Sequence, residues 1–129
     1  LYWTDVSNHR IGRFDTQTLV SEPNFIPNAG RYPDGLSVDT INNMLYWASP
    51  ESMEIGVANL YTGNVQLLKV DVPPAAVEVN VVEQALYFSS LKSDAIRRGE
   101  ITNDSILFDP SNSLLYTHGN LPSVLKLAH

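Results

Sequence analysis

Asp39, Asn80 and Asp109 stand six residues before Leu45, Leu86 and Leu115. A recurring column of carboxylate and amide side chains can ligate a hard cation such as Ca²⁺, which takes oxygen ligands. The same side chains can instead end a strand and accept hydrogen bonds from the turn that follows. The sequence leaves both readings open. Other chemistry-bearing residues combine less. His9, His118 and His129 are far apart, in no metal-ligand spacing, and read as surface or turn residues. Gly35-Leu36-Ser37-Val38-Asp39 begins like a nucleophile elbow, but its final Gly is absent and no helical pattern follows. Ser37 therefore reads as a strand residue. Asp15, Asp34 and Glu54 have no partner that spacing identifies. Asn103-Asp104-Ser105 has the form of an N-glycosylation acceptor, usable on a secreted chain.

The elements that must position these residues are read from an internal repeat. Leu1-Tyr2-Trp3-Thr4-Asp5 is echoed by Leu45-Tyr46-Trp47-Ala48-Ser49, by Leu86-Tyr87-Phe88-Ser89-Ser90 and, faintly, by Leu115-Tyr116-Thr117-His118. Each copy has the composition of a short strand. Ten residues after each leading Leu stands Ile11, Ile55, Ile96 or Leu125. Nine before the last three stand Leu36, Val77 and Ile106, and seven before them Val38, Val79 and Phe108. The steps between copies are 44, 41 and 29 residues. Periods of about 20–50 residues indicate propellers, solenoids or arrays.

Taken in order, residues 1–20 give the motif strand, a polar turn, an alternating strand at 10–15 and the start of another at 19–20. Residues 21–34 hold Pro23, Pro27 and Pro33 and read as a loop closed by the Pro-Asp-Gly turn. Residues 35–70 form one complete unit: strands at 36–39, 44–48, 54–60 and 65–70, joined by short turns and hence antiparallel. Residues 71–101 repeat it, with strands at 76–82, 86–90 and 95–101 after Pro73-Pro74, and no fourth strand. A new unit is expected to open at Ser105. The blade units are thus about 1–22, 33–70, 75–101 and 104–129 of a single domain. Leu36, Val38, Leu45, Trp47, Ile55 and Val57 are expected in the core. Gly35 and Gly63 are expected in backbone conformations that a β-carbon disfavours.

Composition is that of a folded protein, with 43% hydrophobic and 17% charged residues. A net charge of −6, with Arg97-Arg98 as the one tight basic cluster, argues against nucleic acid as a partner. The chain has no Cys, which excludes disulfides and thiolate metal sites. No apolar run reaches the roughly 18 residues of a membrane helix. The chain starts at Leu1, inside a motif, which suggests a piece of something longer.

The motif residues resemble the tyrosine-tryptophan-threonine-aspartate (YWTD), or class B, repeats of the low-density lipoprotein receptor family. The matching residues are Leu1 to Asp5, Pro33-Asp34-Gly35-Leu36-Ser37-Val38-Asp39, Leu45-Tyr46-Trp47 and Ile55-Gly56-Val57-Ala58. The resemblance implies an all-β, partial β-propeller of three to four four-stranded antiparallel blades, from a ring that has six in that family. It implies an extracellular, non-enzymatic module that binds a protein ligand or packs on neighbouring blades or modules, with no cofactor. Tyr2, Trp3, Asp5, Asp39, Tyr46, Trp47, Tyr87, Phe88 and Asp109 fill its motif positions, and the aromatics are expected between blades. The sequence departs from the pattern where Ser49, Ser90 and His118 replace the motif Asp, and Phe88 and Thr117 the Trp. A rival resemblance is to the gluconolactonase and regucalcin-like propellers, metal-dependent lactonases, which share the Pro-Asp-Gly-Leu-x-Val-Asp stretch and would make Ca²⁺ a cofactor. Six blades of about 40 residues need roughly 240. Incomplete closure therefore predicts either a larger propeller or self-association of copies that completes a ring.

Overall fold

A computed structural model describes residues 1–90, 92–103, 105–108 and 116–117. Asp109, Leu115, His118, Leu125 and His129 lie outside the described residues. All regular elements among the described residues are strands. The first sheet is a meander of β1 (Tyr2–Asp5), β2 (Arg10–Asp15) and β3 (Val20–Ile26). The second runs β4 (Leu36–Asp39), β5 (Met44–Ser49), β6 (Glu54–Asn59) and β7 (Val65–Lys69). In the third, β8 (Pro74–Asn80), β9 (Ala85–Ser90), β10 (Ser93–Thr102) and β11 (Ser105–Phe108) follow in order, and β12 (Tyr116–Thr117) also pairs with β10. Every pairing is antiparallel.

The hairpins form where the sequence supplies an Asx side chain at a strand end. Oδ1 of Asp39 accepts from the backbone N–H groups of Ile41 and Asn42, and that of Asn59 from Tyr61 and Thr62. Asp15 does the same for Gln17 and Thr18. Such a side chain mimics a backbone turn and fixes the reversal. The turns close on a left-handed residue. After β2 and β6, at one equivalent place, these are Leu19 (φ 60°) and Gly63 (φ 81°). Gly and Asn tolerate that region, whereas a β-carbon with a branched chain is strained there. Leu19 is 72% exposed, so its side chain gives little packing in return. Leu19→Gly is therefore expected to raise stability by up to about 1 kcal/mol. A urea midpoint that rises with an unchanged slope is the expected result; a fall would show that the leucine side chain holds the turn.

Several expectations from sequence are corrected. Residues 21–26, expected in a loop, continue strand β3 from Val20. Pro23 is accommodated because β3 is the edge of its sheet and its register with β2 shifts between Ile11 and Arg13. A proline costs least at an edge or bulge, where no ladder hydrogen bond is lost. By the same device β8 starts at Pro74, with a register shift before Val77, while Val81 and Val82 fall in the following turn. The third sheet does have a fourth strand: Ser105–Phe108, expected to open a new unit, pairs with β10 through Gly99↔Phe108 to Thr102↔Ser105. Tyr116 and Thr117, read as a fourth motif copy, continue along that edge opposite Ile96 and Ala95.

Packing follows the two-residue alternation of the strands. Leu45 and Trp47 of β5 face the first sheet, in a core with Ile11, Ile26, Ala29 and Ala58. Met44, Tyr46 and Ala48 face the third sheet, in a core with Val77, Val79, Leu86, Phe88 and Ile106. All six β5 residues are buried, because sheets cover both its faces. Of the expected core, Leu45, Trp47, Ile55 and Val57 are buried. Leu36 is half-buried and Val38 is 40% exposed, because the first sheet places no strand opposite them. Gly63 has the expected left-handed backbone; Gly35 does not. Gly35 is needed for close approach: a β-carbon there would stand 2.7 Å from the Ala75 carbonyl oxygen.

Candidate functional site

The motif aromatics lie on β1, β5 and β9. In each, the first and third motif residues face one way and the second the other. Tyr46, Trp47 and Phe88 are buried between sheets. The Trp47 indole Nε1 donates to the Ala29 carbonyl at 2.8 Å. Tyr2 packs toward the second sheet and meets Phe25, with ring centroids 6.0 Å apart. Trp3 and Tyr87 fall on the outer faces of the first and third sheets. Both are only half-buried, because no further sheet covers them among the described residues.

Sequence reasoning missed what lies under the tryptophans. Trp3 pairs with Gly12 and Trp47 with Gly56 across the strands. A β-carbon at Gly12 would overlap the Trp3 ring, and one at Gly56 the Trp47 ring. The indole lies flat over a bare backbone, which only Gly provides. In the third copy the aromatic is Phe88 and its partner is Arg97. A glycine eleven residues after the leading Leu, present when the third motif residue is Trp, was the available signal.

The Asp39 column takes the turn-holding arrangement. Asp39 is 2% exposed. Its Oδ1 accepts two backbone bonds, both of 3.0 Å, and its Oδ2 accepts from Asn42 Nδ2 at 2.7 Å. Asn80 accepts from Glu83 N–H at 3.1 Å and donates to Glu83 Oε2 at 3.0 Å. Among the described residues no group of three or more His, Cys, Asp and Glu side chains could hold a metal ion. Ser37 lies in β4, and its hydroxyl accepts a 3.1 Å bond from Val79 N–H on β8. That bond ties the second sheet to the third; among the described residues the hydroxyl is engaged by a backbone N–H and not by a base of the kind that activates a nucleophile. Glu54 pairs with Lys69 at 3.6 Å, and Asp34 uses its backbone N–H to bond the Ala48 carbonyl. His9 sits in the exposed β1–β2 turn at φ 55°. Asn103 is exposed in the β10–β11 turn.

The charged groups with shifted ionisation also hold turns and strands. Asp5 accepts from Asn8 Nδ2 at 3.0 Å and from Arg10 Nε at 2.9 Å. The Asn8 bond first, then the Arg10 bond, holds its carboxyl below the usual range. Glu83 is lowered chiefly by the 2.6 Å bond from the Tyr87 hydroxyl, then by Arg98. Burial, then that same bond, pushes Tyr87 up. For both carboxylates the folded form binds protons less readily than the unfolded form. Their contribution is therefore present above the ordinary carboxylate range and lost as pH falls from that range through their lowered folded values.

No protein-family model matches the chain. Residues of this chain are 39% identical over 61 positions to low-density lipoprotein receptor-related protein 5 of Mus musculus, covering 46% of this chain and 4% of that protein. Among solved structures, a chain of a nidogen/laminin complex superposes with TM-score 0.67 at 18% identity, over 89% of this chain and 45% of that one. A chain of Kuenenia stuttgartiensis hydrazine synthase gives 0.74 at 16% identity, over 95% and 34%. A Lactobacillus plantarum protein gives 0.60 at 20%, over 88% and 35%. This chain thus spans less than half of each of these proteins. The structural likenesses bear on fold alone, and the sheets described here form a partial β-propeller.

Proposed function

We propose that this chain, a partial β-propeller of YWTD repeats of the low-density lipoprotein receptor type, is a non-enzymatic module that binds a protein ligand outside the cell. The observation that carries this reading is the 61-residue match to a receptor-related protein at 39% identity. The site chemistry supports it. Asp39, Asn80 and Ser37 spend their polar atoms on turns and on the joint between two sheets. Neighbouring blades are the proposed partners of the outer faces that carry Trp3 and Tyr87. No helix among the described residues is long and apolar enough to cross a membrane.

The lactonase reading supplies the test. A ligand at 100 times its Kd stabilises by about 2.7 kcal/mol. Titration with Ca²⁺ and with Zn²⁺ is expected to leave the thermal midpoint unmoved, and simple lactones to survive incubation with the chain. A saturable shift of that size together with lactone hydrolysis would replace this proposal with the enzyme. For the extracellular setting, Asn103 is the proposed glycan acceptor. Secreted from eukaryotic cells, the chain is expected to run heavier on a gel. Glycosidase digestion or Asn103→Gln should each abolish the difference; an unchanged mobility in Asn103→Gln would remove Asn103 as the acceptor.

A further inference from the structure

A pocket of about 430 Å³ lies between the second and third sheets, at the end of the molecule that carries their hairpin turns. Its volume falls in the range of about 300–1,000 Å³ typical of small-molecule sites. The floor is apolar: Met44 and Tyr46 are buried there, and Ile101 is half-buried. The rim is made of amides. Asn42 comes from the β4–β5 turn, Gln84 from the β8–β9 turn and Asn103 from the β10–β11 turn, and all three are exposed.

The rim amides differ in what they have left to offer. Nδ2 of Asn42 donates to Asp39 Oδ2 at 2.7 Å, and Nε2 of Gln84 donates to the Val81 carbonyl at 2.6 Å. Each is thereby held within its own turn, and no donor among the described residues bonds its side-chain oxygen. The pocket thus presents acceptors above an apolar floor. It suits an occupant with O–H and N–H donors and an apolar patch. The Asn103 side chain forms no hydrogen bond at all among the described residues. Asn103 opens a two-residue turn at φ 53°, between Thr102 and Ser105, which pair across the hairpin. It also heads the acceptor triplet Asn103-Asp104-Ser105.

We infer that the first sugar of a glycan on Asn103, an N-acetylglucosamine, seats in this pocket and bridges the second and third sheets. This rests on the proposed reading that the chain is exported and glycosylated at Asn103. Attachment forms a bond from Asn103 Nδ2 to C1 of the sugar. It breaks the C1–O bond of a lipid-diphosphate oligosaccharide donor, and the amide proton leaves with the diphosphate. Asn103 is itself part of the pocket wall, so the sugar bonded to it starts at the pocket and later sugars lie farther out. The hydroxyls and acetamido N–H of the sugar give donors to Asn42 Oδ1 and Gln84 Oε1. Its acetamido methyl rests on Met44 and Ile101. Asn42 belongs to the second sheet and Gln84 to the third, so one sugar joins both. Because the sugar is tethered, seating is intramolecular, and contacts too weak to hold a free sugar suffice.

The test uses the chain secreted from eukaryotic cells and trimmed by an endoglycosidase to one N-acetylglucosamine. Intact mass reports whether Asn103 carries the sugar. Nuclear Overhauser contacts report where the sugar lies. Contacts from the acetamido methyl to the Met44 and Ile101 side chains are expected. They should be lost in the double variant Asn42→Ala with Gln84→Ala, whose triplet is intact. Sugar present without those contacts overturns the seat and leaves the extracellular reading standing. Contacts undiminished in the double variant overturn the bridge between the sheets. A mass without the sugar removes Asn103 as the acceptor, and the seat with it.

Discussion

Trp47→Ala is expected to destabilise the chain by about 3–5 kcal/mol, the range for truncating a large core aromatic. For a domain whose total stability is roughly 5–15 kcal/mol, such a loss is a large part of the whole. Trp47 is fully buried and sits centrally in the core between the first and second sheets. Its removal acts in three ways. The transfer energy of the indole is lost, and a cavity is left beside Leu45 and Ile11. The Ala29 carbonyl also loses the donor that satisfied it at 2.8 Å, and an orphaned buried acceptor costs about 1–3 kcal/mol. Urea unfolding of the variant measures the sum. Because the chain has a second tryptophan, Trp3, a Trp3→Phe background isolates the Trp47 signal. Blue-shifted, poorly quenched emission is expected from it. Emission at the wavelength of a solvated indole would overturn the packing described here.

The repeat was legible because its cause is local. A strand packed on both faces selects large apolar residues in a row, Leu-Tyr-Trp at 1–3 and 45–47 and Leu-Tyr-Phe at 86–88, and the two-residue period assigned Leu45 and Trp47 to one face and Tyr46 to the other. The positions of the hairpin turns were legible, and at Asp39 so was the cause, because it acts on backbone two and three residues away; that Asp15 and Asn59 do the same was not read from the sequence. What failed depended on neighbours in space. Proline at Pro23 and Pro74 reads as a breaker, but whether it breaks depends on whether its strand lies at an edge or a bulge. Nothing within seven residues of Ser105 says that it will pair with Thr102 rather than begin a new unit. The exposure of Val38 could not be read either. Its sequence context matches that of Val79, and only the sheet opposite differs. The column of Asp39 and Asn80 kept two readings for a related reason. The residue types suit both, and the count of donors around Asp39 is what places its oxygens in the turn.

Gly56→Ala is expected to rival many large-to-small core changes, although it adds one methyl group. Overpacking a close-packed core costs about 1–3 kcal/mol when neighbours can shift. Here the obstacle is the Trp47 ring, over which the new β-carbon would sit. The ring cannot slide without breaking the bond from Nε1 to Ala29, and Leu45 and Ala58 pack in the same core. A cost at or above the upper end of that range follows. The repeat also says how to relieve it. Where the aromatic is Phe88 instead of Trp, the facing residue is Arg97 and not Gly. A smaller ring lets the opposite strand carry a side chain. Trp47→Phe should therefore cost stability alone, through the lost indole bond and the space it leaves, yet spare part of the damage from Gly56→Ala. The double variant is expected to lose less than the sum of the two single losses, by about 1 kcal/mol or more, within the range for residues in direct contact. Full additivity in urea unfolding would mean that the alanine strains the strand backbone rather than the indole, and the pairing of Trp with Gly in β1 and β5 would then need another cause.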